Sequence, residues 1–416
     1  MLMKYDVVIV GAGASGMMAA ITAARNGASV LLLEHMERAG KKILSTGNGK
    51  CNYTNEKQGL SYYRGENPAF VLPVLEQFGF RETVAFFEEL GICPKEKNGY
   101  YYPASEQASS VLKVLLMELK RLHVEIRYEI GIRSIKKEDS LFCLETKNGS
   151  FYGTTCILAT GGYAAKKTGS DGSGFLYAKK LGHHLSTPVP ALVQLVAKDS
   201  ICKEWAGIRI HANIKLYAKK EFLAQDTGEV QLTDYGISGI PTFQVSRFAA
   251  KALEQKEPVN VSLDFLPQHT YEEVFSLLKQ RFYQYGTGKN VFEALIGLFP
   301  EKLITVFYRK CNESWITKKI PANHIAEKEL KLLCKQIKQF ELSIEKTKPF
   351  DMAQVTAGGI LTEEIANDTL ESKRVVGLYF SGEMIDIDGM CGGYNLQWAW
   401  SSGYVAGYAA AMALKR

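Results

Sequence analysis

Apolar and polar positions along the chain follow two alternating periods. Residues 5–10 (YDVVIV) form a short β-branched run, the pattern of a strand buried on both faces. An Ala-rich helix is predicted over 17–25 and stops at Gly27. A second apolar strand over 28–33 ends in Glu34. Apolar positions at 70, 72, 74, 75 and 78, then at 84, 86, 87 and 90, predict two short helices ending at Gly91. Residues 98–103 read as a turn into an aromatic strand, and 109–122 as a helix. Four alternating stretches, 192–196, 209–217, 221–224 and 230–233, predict a small barrel. Residues 234–241 break that alternation ahead of a helix from 242 to about 254. Residues 270–340 look helical, and the charged side of the amphipathic stretch 326–340 reads as a solvent face. Apolar strands at 156–159 and 375–381, then a small-residue helix from 394 to about 414, complete an α/β pattern.

The first strand runs directly into Gly11-Ala12-Gly13-Ala14-Ser15-Gly16 and then into the first helix. In such a G-x-G-x-x-G turn Gly11 makes the tight bend, Gly13 admits a pyrophosphate to the backbone, and Gly16 lets helix and strand pack closely. The helix start supplies N–H donors and the positive end of its dipole to phosphates. Glu34, 23 residues after Gly11, is placed to accept bonds from ribose hydroxyls and to repel a 2′-phosphate. A second close-approach turn, Ala159-Thr160-Gly161-Gly162, follows a strand. A third glycine-rich region holds Gly382 and Glu383, then Gly392-Gly393-Tyr394-Asn395-Leu396 at a helix start. A chain that returns after more than 200 residues to finish its first nucleotide fold suits FAD better than NAD. The late acid is expected on ribityl hydroxyls, and the late helix start at the flavin pyrimidine edge.

Composition narrows the reading. The chain has 416 residues, 46% hydrophobic and 23% charged, which is the range of soluble globular proteins and a prior of two to three domains. Lys+Arg exceed Asp+Glu by 50 to 44, and the lysines fall in scattered pairs, among them Lys41-Lys42 and Lys318-Lys319. No basic block marks a nucleic-acid surface. The eight cysteines are never closer than 13 residues, which excludes Cys-x-x-Cys metal or dithiol sites and suits a reducing cytosol. No apolar run reaches the roughly 18 residues of a membrane span. Residues 7–10 are too short for an export signal. The expectation is a cytoplasmic protein without membrane or nucleic-acid partner, of undetermined oligomeric state. His183 and His184 have no companion ligands spaced around them, so no metal is expected.

Residues 40–55 read GKKILSTGNGKCNYTN. Together with ATGG at 159–162, VTAGGI at 355–360 and GEMIDIDGMCGGYNLQWAWSSGYVAG at 382–407, this block resembles the HI0933-like bacterial flavoproteins over essentially the whole chain. That family includes BaiN-type bile-acid reductases and aminoacetone oxidases. The resemblance implies a Rossmann-type, glutathione-reductase-like FAD domain interrupted by an insertion with a β-barrel part and a helical part. The implied boundaries are 1–187 and 353–416 for the FAD domain, 188–265 plus 341–352 for the barrel, and 266–340 for the helical piece. It further implies that Gly11, Gly13, Ala14, Ser15, Gly16 and Glu34 hold the adenosine pyrophosphate. Lys42, Thr46, Gly47, Asn48, Gly49, Lys50, Cys51 and Asn52 would lie along non-covalent FAD, with Lys42 and Lys50 nearest the pyrophosphate. Ile132 is implied as an adenine contact, and Ala159, Thr160, Gly161, Gly382, Glu383, Gly393, Tyr394, Asn395 and Leu396 as further FAD contacts. A lone cysteine in a turn is more often structural than reactive, and Cys51 is read so.

The chemistry expected is hydride transfer from reduced FAD to an enone-like C=C of a small or steroid-like substrate, with NAD(P)H as a transient donor. The loop-plus-helix at 168–182 resembles that of fumarate-reductase-type flavoproteins and points the same way. The alternative is an oxidase of small amines such as aminoacetone. An RNA-modifying role is disfavoured by the dispersed lysines. The sequence does not single out a proton donor; Tyr102, Arg209, Asp234 and Tyr235 are weak candidates. Relatives often carry histidine where Asp234 stands, so a histidine mechanism does not transfer.

Overall fold

The computed structural model describes residues 4–312, 314–317 and 320–415, so the Lys318-Lys319 pair and the first three residues lie outside the described residues. The chain divides into two compact units, Met1–Val189 with Gln354–Arg416, and Pro190–Ala353.

The first unit is built on a seven-stranded sheet. Strand β1 (Lys4–Val10) runs parallel to β2 (Val30–Leu33) on one side and to the strand Gly149–Leu158 on the other; Glu125–Arg127 continues the sheet beyond β2. Val7, Val8 and Ile9 are fully buried, which is why this run has no polar alternation. Helix α1 (Ala14–Arg25) joins β1 to β2. The strand Gly149–Leu158 has a divided edge. Residues 149–153 pair antiparallel with Leu141–Thr146, and 156–158 pair parallel with Leu378–Phe380. A segment more than 200 residues downstream thus completes the same sheet.

The C-terminal helix, Tyr394–Met412, lies directly against α1. A Cβ at Gly403 would stand 2.4 Å from the Ser15 carbonyl oxygen, and one at Gly407 2.4 Å from that of Ala19. Glycine and alanine, poor choices for an exposed helix, here let two backbones approach where larger side chains would hold them apart. The paired short helices are Leu72–Gln77 and Phe80–Glu89, and the helix read over 109–122 spans Ala108–Arg121.

The second unit contains a closed six-stranded barrel ordered Leu195–Ala197, Gly236–Ser238, Glu221–Thr233, Arg209–Ala218, Val259–Asp264 and Phe340–Thr347. Closure leaves no free edge. Three sequence expectations shift. The stretches 221–224 and 230–233 are one 13-residue strand, because the polar residues between them stay paired to Arg209–Ala218 in a long hairpin ladder. The strand expected from 192 begins at Leu195, since Leu192 has φ +50° and cannot be extended. The helix expected from 242 begins at Ile240, with Pro241 in its first turn, where a missing N–H costs nothing. The helical residues comprise Tyr271–Lys279, Val291–Leu295, Glu301–Cys311 and Glu327–Lys338. They share one core with the barrel through Phe265, Phe307 and Phe340, whose rings lie 5.3–6.3 Å apart.

Candidate cofactor site

The G-x-G-x-x-G turn divides its glycines by task. Gly11 has φ +103°, and a Cβ there would meet the Ala159 carbonyl oxygen at 2.5 Å. A Cβ on Gly16 would fall 1.8 Å from the Gly11 carbonyl oxygen. Both are therefore required by packing. Gly13 differs: its Cβ would meet nothing within 4 Å, so the space above it is open. Ala14 is half-buried beside it, and no side chain caps α1 among the described residues. An open cradle at an uncapped helix N-terminus is the shape and polarity a pyrophosphate needs.

Glu34, 7% exposed, anchors the adenosine end. Its Oε2 accepts the Ala12 N–H (2.8 Å) and its Oε1 the Met36 N–H (2.9 Å), with His35 Nδ1 3.2 Å away. Burial pushes this carboxyl up, but the bonds from His35, Met36 and Ala12 outweigh it and hold the group below the usual carboxylate range. Each oxygen retains a lone pair for a hydroxyl donor. Residues 129 and 130 run beside it through the N–H of Glu129 on the Met36 carbonyl and the N–H of Ile130 on that of Glu34. Ile132 follows, its carbonyl taking the Tyr177 hydroxyl at 2.7 Å.

Four distant motifs converge on one polar network. Lys42 Nζ donates to Glu383 Oε2 (2.7 Å) and to the Ala164 carbonyl (3.3 Å). Glu383 Oε1 accepts the Thr356 N–H (2.9 Å), and Thr356 Oγ1 accepts the N–H groups of Tyr163 (2.8 Å) and Ala164 (3.1 Å). Gly162 closes the knot, since a Cβ there would sit 2.4 Å from Thr356 Oγ1 and 2.9 Å from Glu383 Oε1. Gly161, at φ +72°, packs against Ser170, and Thr160 Oγ1 lies 3.2 Å from Met384 Sδ. Gly382, at φ +69°, is pinned by the Ser402 hydroxyl accepting its N–H and the Trp398 indole donating to its carbonyl; a Cβ there would touch Ser15 Oγ at 2.6 Å. Thr356 and Ala164 were not singled out from the sequence. VTAGG and ATGG flagged their neighbourhoods, but only the fold brings them together.

The loop 46–52 is held in a conformation of high local strain. Gly47, Asn48, Gly49 and Cys51 all have positive φ, and Thr46 Oγ1 donates to the Ile43 carbonyl at 2.6 Å. Gly47, Asn48, Gly49 and Lys50 face open space, while Cys51 and Asn52 turn inward. Cys51 is fully buried and burial pushes its thiol up to about 12, which suits packing and not nucleophilic chemistry. Lys50 points outward to Glu106 (3.6 Å).

At the late helix, Gly393 is the N-cap at φ +95°, and Tyr394 stacks on Tyr62 at 4.6 Å. The Asn395 side chain is occupied with the loop before it, accepting the Gly389 N–H and donating to the Gly389 carbonyl (both 2.8 Å). What the helix offers a ligand is therefore backbone N–H groups, with Leu396 half-buried alongside.

The weak catalytic candidates fall in different places. Tyr102 is half-buried on the face of Tyr100–Pro103 that also carries Tyr100, with its ring 3.8 Å from a Cβ built on Gly47. Arg209, Asp234 and Tyr235 belong to the barrel unit. Arg209 pairs with Glu229 at the surface (3.1 Å), Asp234 is exposed, and the Lys348 ammonium lies 3.9 Å from the Tyr235 ring centre. His183 and His184 serve Glu364: His183 Nδ1 lies 3.0 Å from Oε2 and His184 Nδ1 2.6 Å from Oε1, with Arg374 also on Oε1 (2.6 Å).

A parallel sheet with an open glycine cradle, an acid at the end of β2 and a late strand returning with Gly-Glu define an FAD-binding oxidoreductase of Rossmann type. The chain belongs to the HI0933-like family: the model described as the HI0933-like protein Rossmann domain matches residues 5–409. It is 46% identical over 407 residues to the 3-dehydro-bile acid delta(4,6)-reductase of Clostridium scindens, covering 97% of this chain and 98% of that protein. It is 30% identical over 404 residues to the ribosomal RNA dihydrouridine synthase of Haemophilus influenzae, covering 95% and 96%. Among solved structures, the 3-ketosteroid-delta4-(5alpha)-dehydrogenase of Rhodococcus jostii RHA1 shares the fold at 16% identity and TM-score 0.50, covering 98% of this chain and 97% of that one. No described helix is long and apolar enough to cross a membrane.

Proposed function

We propose that the protein is an FAD-dependent reductase that saturates a C=C bond conjugated to a carbonyl in a small or steroid-like molecule, with NAD(P)H as electron source. The single observation that carries this reading is the end-to-end 46% identity to a reductase of that class. The bound flavin supplies hydride to the β-carbon, and a proton then reaches the α-carbon. The chain's own residues bind and orient. The Gly13 cradle and the N-terminus of α1 take the pyrophosphate, and Glu34 takes the ribose. The network of Lys42, Thr356 and Glu383 fixes the middle of the groove, and the backbone at Gly393 and Tyr394 offers N–H donors to a pyrimidine carbonyl. Tyr102 is the phenol nearest these elements.

A second reading is favoured by the dihydrouridine synthase relative. Dihydrouridine is uridine with two hydrogens added across a C=C next to a carbonyl, so the bond chemistry is the same and only the carrier differs. The FAD-loaded protein, mixed anaerobically with NADPH or NADH and then with a 3-keto-4,6-diene steroid, a uridine-containing ribosomal RNA fragment or aminoacetone, separates these readings. Bleaching by the nicotinamide and reoxidation by the dienone is expected. Reoxidation by the RNA alone moves the substrate to the second reading. Bleaching by aminoacetone with both nicotinamides inert replaces reductase with amine oxidase.

A further inference from the structure

Of the three lysines in the 40–55 block, the structure turns one inward. Lys41 pairs with Glu37 (3.1 Å) and Lys50 with Glu106 (3.6 Å), and both acids are largely exposed. Lys42 is 25% exposed and sits within the converging motifs, 2.7 Å from Glu383 Oε2. An ammonium has three donors. Glu383 and the Ala164 carbonyl take two, leaving one for an acceptor atom of whatever fills the groove. Glu383 is held in turn by the Thr356 N–H and by the close contact to Gly162, so it has little freedom to swing away.

Two fixed, opposite charges in a half-buried groove act at longer range than charges in water. A flavin gains negative charge on two-electron reduction, so the cation favours the reduced form and the anion disfavours it. The geometry points to Lys42 and Glu383 as an opposed pair that sets the redox potential of the bound flavin, Lys42 raising it and Glu383 restraining it. This rests on flavin occupying the groove and is independent of which substrate is reduced, so it can fail while the reductase reading stands, and the reverse.

The test measures the midpoint potential of the FAD-loaded protein without substrate, by dye-equilibrated anaerobic reduction. In Lys42→Met, binding of reduced relative to oxidised FAD falls about tenfold, equivalent to a potential ~30 mV lower. Glu383→Gln removes the restraining charge and moves the potential upward, and Lys42→Arg stays near the wild type. A clamp that merely holds the loops would lower the melting temperature in both variants and leave the potential where it was. That result, or shifts of the same sign in both, overturns the inference. Should Lys42→Met fail to hold FAD, Glu383→Gln decides alone: an upward shift supports the pair, and an unchanged or lowered potential removes it.

Discussion

Three glycines five residues apart do different work, and substitution separates them. Gly13→Ala meets no atom and has an ordinary backbone, so stability should change by no more than about 0.5 kcal/mol. FAD retention should nevertheless fall at least about tenfold, because the methyl occupies the pyrophosphate's approach. Gly16→Ala drives a methyl into the Gly11 carbonyl and should cost about 3 kcal/mol whether or not FAD is present. Thermal melts and flavin release of both variants check this. These roles were legible from spacing alone, because a strand, a tight turn and a helix start demand those glycines locally. The partner of Glu383 was not. The sequence offered it ribityl hydroxyls, and the structure adds Lys42, 341 residues away, which no local pattern can announce. Cys51 was legible as structural, but its positive φ was not, since only the surrounding glycines hinted at the turn.

At the scale of elements, the C-terminal helix depends on the row Gly403 and Gly407 facing Ser15 and Ala19. Gly407→Val should destabilise by about 3 kcal/mol despite valine's usual advantage over glycine in a helix. It should also weaken FAD binding, because α1 carries the cradle at its other end; denaturant midpoints and flavin titration read both. The turn at His183-His184 is tied to the segment holding Glu364 and Arg374. Glu364 is 5% exposed; burial opposes its ionisation, but Arg374 and His184 overcome this and hold it at about 2. Burial keeps His183 below its usual range, hence neutral near pH 7. Both folded values lie below the unfolded ones, so both groups favour the folded state at neutral pH and lose that contribution as pH falls. For Glu364 the contribution is about 3 kcal/mol, present above roughly pH 5 and lost toward pH 2. Glu364→Gln should melt lower at pH 7 and show a flatter dependence between about pH 4 and 7; melting curves across that interval decide. Helix and strand identities were largely readable from period. The fused 13-residue strand was not, because its polar middle mimics a turn until its partner strand is in view.

For the whole molecule, the two units have separate cores, one on the parallel sheet and one filling the barrel and its helices. Residues 190–353 expressed alone should therefore unfold in a single cooperative transition by circular dichroism, whereas 1–189 alone should bind no FAD, lacking Glu383 and the late helix. A gradual, non-cooperative melt of the excised barrel unit would refute its independence. The FAD fold was legible because phosphate binding imposes glycine spacing. Substrate choice was not, because a hydrophobic pocket imposes no spacing at all.

The divided edge of Gly149–Leu158 has a consequence in time. On the ribosome, residues 156–158 emerge with their parallel neighbour more than 200 residues away. At 5–20 residues per second the slot stays open for roughly 10–40 s. During that interval the nascent sheet presents an unpaired apolar edge to every other chain in the cell. The barrel unit is synthesised entirely within it. Its rapid closure keeps a second set of strand edges from being exposed at the same moment, and the final 60 or so residues act as the latch that ends the hazard.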